Sequence, residues 1–314
     1  MEIKISQNIK ISIISVIAFL VAFSVLPFLV AESPFIEGDF FSGDFSQNRT
    51  GFLIGSSHVG RINVTQVNDL IHDDSITIYN LAIAGDSPSK RVRSLEQIIS
   101  AKPEIIFYGI SYRDFNFPYQ NIASSILPDP QQILSEKLHD NNPLNNTFPS
   151  NPQWYSMHII RGLLNIIKKE PEHFWEINTP FYPYHRRYGI IATDDDLKNE
   201  IVPAKTWIDS KTKINNIHDI LKIISEVQKH EIKVIIFTTP LHQYYLDELS
   251  NSQKNQLDSL LNDLRENYDV KIYKFEKKYS KLNIWNNLSH VSFNRNVTEY
   301  NHDVAEMIRI EMNP

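Results

Sequence analysis

The chain has 314 residues, a formal net charge of −6 and no cysteine. This length suits one large α/β domain, or a domain that carries an insertion. The mild acidity, without a basic stripe, argues against nucleic acid as a partner. The absence of cysteine excludes disulfides, a thiolate nucleophile and cysteine-based metal sites.

The first predicted element is an N-terminal membrane anchor. Two lysines precede an uncharged run over residues 11–31, which is long enough to cross about 30 Å of hydrocarbon as a helix. These lysines, with Glu32 after the run, favour a cytoplasmic N-terminus and an extracytoplasmic main domain. A cleaved signal peptide is the alternative. We predict an anchor over residues 1–32 and a polar linker over residues 33–50.

Beyond the linker, short apolar runs alternate with helical patterns. Strands are predicted over residues 51–55, 75–83, 104–110, 233–238 and 270–273. Helices are predicted near residues 64–71, 92–99, 214–230, 250–266 and 297–312. Because such alternation implies a parallel sheet with helices on both faces, we predict an α/β domain over residues 51–314.

The alternation is interrupted between about residues 116 and 206. This segment is rich in proline, asparagine and aromatic residues, with one amphipathic pattern around Tyr155–Lys168. A structureless loop of that length is uncommon in a compact domain. We therefore predict a mostly helical or irregular insertion that acts as a lid over the carboxyl ends of the strands.

A serine and a histidine occupy positions that suit a nucleophile and its base. The first strand ends in Gly55-Ser56-Ser57, and Asn287-Leu288-Ser289-His290 precedes the last helix. Open α/β sheets bind ligands at the carboxyl ends of their strands, so Ser57 and His290 are a candidate catalytic pair. The alternatives are a helix N-cap for Ser57 and a solvated loop histidine for His290.

The order of these features resembles the SGNH/GDSL hydrolase family, in particular its membrane-anchored cell-envelope branch. Gly55-Ser56-Ser57 resembles the first sequence block of that family, whose serine is the nucleophile and maps to Ser57. Asn80-Leu81-Ala82-Ile83-Ala84-Gly85 resembles the second block, whose glycine amide contributes to the oxyanion hole and maps to Gly85. The resemblance covers residues 51–111 and about 214–312. It implies a flavodoxin-like three-layer α/β/α sandwich around a central parallel sheet.

Two blocks depart from the family pattern. Ser111 stands where the family has the asparagine of Gly-x-Asn-Asp, and Asn287 replaces the acid of Asp-x-x-His. An asparagine accepts a hydrogen bond from imidazole but does not stabilise an imidazolium by charge. The equivalent exchange in a serine protease costs about 10⁴ in rate, or roughly 5.5 kcal/mol. Asp86 and Asp114, both predicted at strand ends, are candidates for the missing carboxylate.

The resemblance implies a serine esterase or acyltransferase without a metal or other cofactor. Its substrate would be an acylated, for instance O-acetylated, cell-surface glycan or a small ester. The alternative is a non-catalytic binding or assembly protein of the cell envelope, which works beside a membrane-bound acyltransferase. A metal-dependent phosphoesterase is a further alternative, as is a zinc site of His58, His242 and His290, although these histidines lack the helical His-x-x-x-His spacing.

Overall fold

The computed structural model describes residues 38–41, 43–115, 178–182, 186–201 and 214–313. Nearly all of them belong to one compact unit, Phe40–Leu127 with His173–Pro314. The other unit, Met1–Asp39 with Pro128–Glu172, lies outside the described residues apart from two.

Two predictions fall on residues that are not described. The predicted anchor over residues 11–31 and the amphipathic pattern around residues 155–168 both lie outside the described ranges. Of the helices that are described, none is both long and apolar enough to cross a membrane. The anchor and the boundaries of the insertion therefore stay predictions.

A parallel sheet forms the centre of the described unit, with five strands in the order β2-β1-β3-β4-β5. The strands are β1 (Arg49–Gly55), β2 (Ile76–Asn80), β3 (Ile105–Ile110), β4 (Lys233–Thr238) and β5 (Lys271–Lys274). This is the flavodoxin-like order, in which the direction of strand addition reverses between β1 and β3. The predicted central parallel sheet is confirmed.

Helices pack on both faces of this sheet, and nine α-helices lie within the described residues. They are α1 (Gly38–Phe41), α2 (Val64–Ile71), α3 (Pro88–Arg91), α4 (Leu95–Ser100), α5 (Asp194–Asn199), α6 (Ile214–Lys229), α7 (Gln243–Glu248), α8 (Asn251–Tyr268) and α9 (Glu299–Met312). Helix α2 packs against α9, whereas α6 packs against α3 and α8. Because parallel crossovers are right-handed, the reversal of strand order places these two groups on opposite faces.

The boundaries of these elements follow from their side chains. Helix α2 begins at Asn63, whose side chain accepts a hydrogen bond from the Gln66 N–H at 3.2 Å, as expected of an N-cap. It ends at His72, which has a left-handed φ of 54°. Strand β2 ends at the buried Asn80, three residues earlier than predicted. The Asn80 side chain donates to the carbonyl of Val59 at 2.9 Å.

A small hairpin precedes the last helix, where the sequence predicts a loop. Strand β6 (Trp285–Asn287) pairs antiparallel with β7 (His290–Val291). Both strands are too short to give an alternating pattern in the sequence. The helix predicted near residues 92–99 is also interrupted, by a 3₁₀ turn at Val92–Ser94.

Candidate active site

Two glycines shape the turn that carries Ser57. Gly55 has a φ of +145°, and a Cβ added there would lie 2.6 Å from the Gly109 carbonyl oxygen. Gly109 is its neighbour on β3, and a Cβ there would lie 2.3 Å from Val59. The absence of both side chains lets the chain leave β1, turn at once and enter the 3₁₀ helix Val59–Arg61. Ser57 is thereby fixed just beyond the carboxyl end of β1.

The structure brings Ser57, His290 and Asn287 together. Ser57 Oγ lies 2.8 Å from His290 Nε2, and His290 Nδ1 lies 2.9 Å from Asn287 Oδ1. Because the amide oxygen can only accept, His290 carries its proton on Nδ1 and leaves Nε2 to accept from the serine hydroxyl. This is the tautomer that a general base requires.

The orientation of the Asn287 amide is set by the hairpin turn. Its Oδ1 accepts hydrogen bonds from the backbone N–H groups of Ser289 at 3.0 Å and His290 at 2.9 Å. Only the oxygen of the amide can accept them, so these bonds identify the atom that faces the imidazole. One side chain therefore closes the turn and orients the histidine.

The surroundings of His290 favour its neutral form. Burial lowers the pKa of His290 well below its usual range, and His58, Arg61 and Arg113 lower it further. Arg113 reaches the same hairpin, where its Nη1 donates to Ser289 Oγ at 3.2 Å. His290 is consequently unprotonated at neutral pH, as a general base must be.

Neither predicted substitute for the missing acid reaches His290 Nδ1. Asp86 is buried in an ion pair with Arg91, whose Nε lies 2.8 Å from Asp86 Oδ2. Asp114 Oδ2 accepts from the Ser111 N–H at 2.7 Å. Since Asn287 occupies the Nδ1 position, the expectation that Asp86 or Asp114 supplies the carboxylate is wrong.

Gly85 lies in the turn that follows β2. Its φ is +69°, a conformation that favours glycine, and the turn is closed by a hydrogen bond from the Asp86 N–H to the Ile83 carbonyl at 3.1 Å. The Ile83 N–H bonds the Gly55 carbonyl at 3.1 Å, so this turn is joined to the end of β1. The role of the Gly85 amide in an oxyanion hole stays a prediction.

Ser111 follows β3 and is buried. Its Oγ accepts a hydrogen bond from the Arg113 N–H at 3.0 Å, which makes it the N-cap of the 3₁₀ helix Tyr112–Asp114. The hydroxyl proton remains available for donation. Its role as a substrate-binding donor also stays a prediction.

His58 lies beside the candidate pair of Ser57 and His290, and the sequence offered it only as an alternative zinc ligand. Its ring stacks on that of His290, with centroids 4.5 Å apart and planes that differ by 4°. His242 instead caps α7, where its Nδ1 accepts from the Tyr244 N–H at 3.1 Å. Within the described ranges no group of three or more metal-ligating side chains is found.

The described parts of the predicted insertion border the serine turn. The Tyr182 ring lies so close to Gly60 that an added Cβ would be 2.7 Å from it. The Arg61 guanidinium lies 3.8 Å from the centroid of the Tyr188 ring. The Asn286 side chain, in the hairpin of His290, donates to the backbone of this same segment. These contacts place two tyrosines next to the elements that carry Ser57 and His290.

No protein-family model matches the chain, and the curated proteins contain no significant match. Among solved structures, a proposed acylhydrolase from Bacteroides fragilis is 10% identical, with a TM-score of 0.44 over 90% of this chain and 96% of that one. A GDSL-like lipase from Bacteroides thetaiotaomicron is 9% identical, with a TM-score of 0.42 over 90% of this chain and 97% of that one. At these values neither similarity carries an argument about the chemistry of this chain.

Proposed function

We propose that this chain is an SGNH-like serine esterase or acyltransferase that uses Ser57 and His290. The observation that carries the proposal is the pair of hydrogen-bond distances on the two sides of the imidazole. Ser57 Oγ lies 2.8 Å from Nε2, and Asn287 Oδ1 lies 2.9 Å from Nδ1. A hydroxyl, a neutral imidazole and a third group that orients it make up the arrangement of an activated serine.

The reaction begins when Ser57 Oγ bonds to the carbonyl carbon of an ester. His290 Nε2 takes the hydroxyl proton, and the carbonyl electron pair moves to the oxygen. The backbone amides of Ser57 and Gly85, with the Ser111 hydroxyl, would donate to that oxyanion, and each such donor contributes about 3–4 kcal/mol in comparable sites. The bond between the carbonyl carbon and the alcohol oxygen then breaks, the carbonyl re-forms from the oxyanion, and the leaving alcohol takes the proton from Nε2, which gives an acyl-enzyme.

The second half of the reaction decides between hydrolysis and transfer. Water or an acceptor hydroxyl attacks the acyl group, His290 Nε2 takes its proton, and the Ser57 hydroxyl is restored as the acyl–oxygen bond breaks. An acylated, for instance O-acetylated, cell-surface glycan is the proposed substrate. This choice rests on the resemblance and on the predicted extracytoplasmic placement.

The test is covalent labelling of the full-length chain by a fluorophosphonate probe, read by intact mass. We expect one adduct on the parent and none on Ser57→Ala. Ser100→Ala, at the end of α4 and exposed, is the matched control and should label like the parent. Labelling of Ser57→Ala, or no adduct on a folded parent, would contradict the proposal.

A non-catalytic binding or assembly role is the second candidate, for which a membrane-bound acyltransferase would be the partner. The observation in its favour is the neutral Asn287 at His290 Nδ1, with Asp86 and Asp114 bound elsewhere. Absence of labelling on a folded parent would support this role. Capture of an acyltransferase by the full-length chain in membranes would then be the next measurement.

A further inference from the structure

The face of the His58 ring, rather than its edge, is what contacts the general base. The centroids of His58 and His290 lie 4.5 Å apart with nearly parallel planes, and both side chains are buried. On its edge, His58 Nδ1 lies 2.9 Å from Ser56 Oγ, whereas Nε2 is buried without a hydrogen-bond partner among the described residues. The stack is therefore the principal contact between these two residues.

The positive charge that forms on His290 during the reaction has unfavourable surroundings. Its Nδ1–H faces the neutral amide of Asn287, where a carboxylate would attract an imidazolium. Burial, a positive charge on His58, and the charges of Arg61 and Arg113 all lower the pKa of His290. The effect of His58 by charge requires a protonated His58 and is absent while that ring is neutral. An imidazolium at this position needs a stabilising contact of another kind.

His58 is able to supply such a contact because it stays neutral. Burial lowers the pKa of His58 to about 3, and Arg113 and Arg61 act in the same direction. The face of a neutral aromatic ring attracts a cation, because the ring quadrupole concentrates negative charge there. The 4.5 Å separation of the rings lies within the range of about 6 Å over which this attraction operates.

We propose that His58 is a positioning residue. Its ring face stabilises the His290 imidazolium and keeps the His290 ring oriented so that Nε2 faces Ser57 Oγ. The inference rests on the proposed acyl transfer. The charge arises as the Ser57 O–H bond breaks, its oxygen bonds to the ester carbon and Nε2 takes the proton. A desolvated contact of this kind corresponds to a rate effect of about 10- to 30-fold, which recovers part of what the missing carboxylate would contribute.

Two substitutions separate the ring face from the other properties of His58. His58→Phe and His58→Leu both fill the site with apolar atoms and both remove the hydrogen bond to Ser56, but only phenylalanine keeps an aromatic face. In the full-length chain, we expect His58→Phe to acylate Ser57 within about threefold of the parent. We expect His58→Leu to be about 10- to 30-fold slower, with KM for an ester substrate unchanged.

A second measurement does not depend on activity. The pKa of His290 can be followed by nuclear magnetic resonance of labelled histidine in a Ser57→Ala background, with His290→Gln to assign the signal. We expect the pKa to be about one unit higher with phenylalanine than with leucine at position 58, which is a tenfold difference in protonation. A role of His58 in packing alone would not separate the two variants in this way.

These measurements separate failure of this inference from failure of the proposed function. If the parent does not label at Ser57, acyl transfer is refuted, while the order of the two His290 pKa values still tests the stack. Equal pKa values and equal acylation rates in folded Phe and Leu variants would overturn the role of His58. Should His58→Leu fail to fold, His58→Met offers a second apolar side chain without a ring, and the same comparison applies.

Discussion

Asn287 controls the protonation and the direction of His290 through one oxygen atom. That oxygen accepts from two backbone N–H groups of the turn and from the imidazole. A carboxylate oxygen could accept the same three bonds, because an ionised aspartate is an acceptor only. The site thus has the geometry of an acid–histidine pair without its negative charge.

Restoring the charge should raise the reactivity of Ser57. We expect Asn287→Asp to increase the rate of acylation by at least about tenfold, since the reverse exchange costs about 10⁴ in a serine protease. The added charge also raises the pKa of His290, so the acid limb of the rate profile should move to higher pH. Fluorophosphonate labelling rates measured across pH give both quantities.

The matched control is Asn255→Asp, which adds the same charge at an exposed position of α8. It should leave the rate and its pH profile unchanged. An unchanged or slower Asn287→Asp enzyme would mean that the electrostatic argument for this site is wrong.

The elements around the site are joined by a buried ion pair between α3 and the turn that follows β2. Arg91 donates to Asp86 and to the Leu81 carbonyl at 3.0 Å, and both charged side chains are almost inaccessible to solvent. Burial raises the pKa of Asp86, and Arg91 opposes that rise. Because Asp86 directly follows Gly85, this pair holds the turn that the proposed oxyanion hole needs.

Breaking this pair on one side should be costly. We expect Arg91→Met to lower the free energy of unfolding by about 3–5 kcal/mol, because it leaves a buried carboxylate unpaired. The double variant Arg91→Met with Asp86→Asn removes both charges and should recover part of the loss. Denaturant unfolding of the single and double variants tests this, and a double variant no more stable than Arg91→Met would count against it.

The sequence predicted the strands of the sheet better than the details of the site. Residues 51–55 of β1 and the whole of β3 are continuous apolar runs, as expected of strands buried on both faces, and such runs are easily recognised. Ser57 and His290 could be proposed from their places in the order of elements. The stack of His58 on His290 could not, because it depends on the backbone of a 3₁₀ turn and of a hairpin too short to give a pattern.

At the scale of the whole molecule, the two ends of the sheet have different roles. The candidate site occupies the carboxyl end, and at the amino end the last helix is tied to β4 and β5. The buried Glu311 carboxylate accepts from Lys233 Nζ at 2.9 Å and Lys271 Nζ at 2.5 Å. Tyr273 also donates to it, at 2.5 Å.

The Glu311 contacts make the free energy of unfolding decrease as the pH falls in the acid range. Burial alone would raise the pKa of Glu311, but hydrogen bonds from Lys271, Tyr273 and Lys233 lower it to about 2. Since the folded value is depressed, this contribution is complete above about pH 4.5 and is lost as pH falls towards 2. We expect Glu311→Gln to reduce the free energy of unfolding by about 1–3 kcal/mol at pH 7. Below pH 4.5 the free energy of unfolding should decrease less steeply in this variant than in the parent.

Thermal unfolding of both proteins from pH 7 to pH 3 measures this difference. Labelling of Ser57 at pH 7 should be the same in the two, because Glu311 lies at the edge of the sheet away from the site. A variant that loses stability in parallel with the parent below pH 4.5 would show that other groups cause the acid sensitivity.

The 233 positions that separate Ser57 from His290 along the chain have a consequence during synthesis. A ribosome that adds about 5–20 residues per second needs on the order of 10–50 s to travel from one to the other. Throughout that interval the nascent polypeptide contains Ser57 but not yet His290. On the proposed mechanism, a chain that terminates before the hairpin of β6 and β7 lacks His290 and does not react with esters. Reactivity towards esters therefore shows that translation has passed this hairpin.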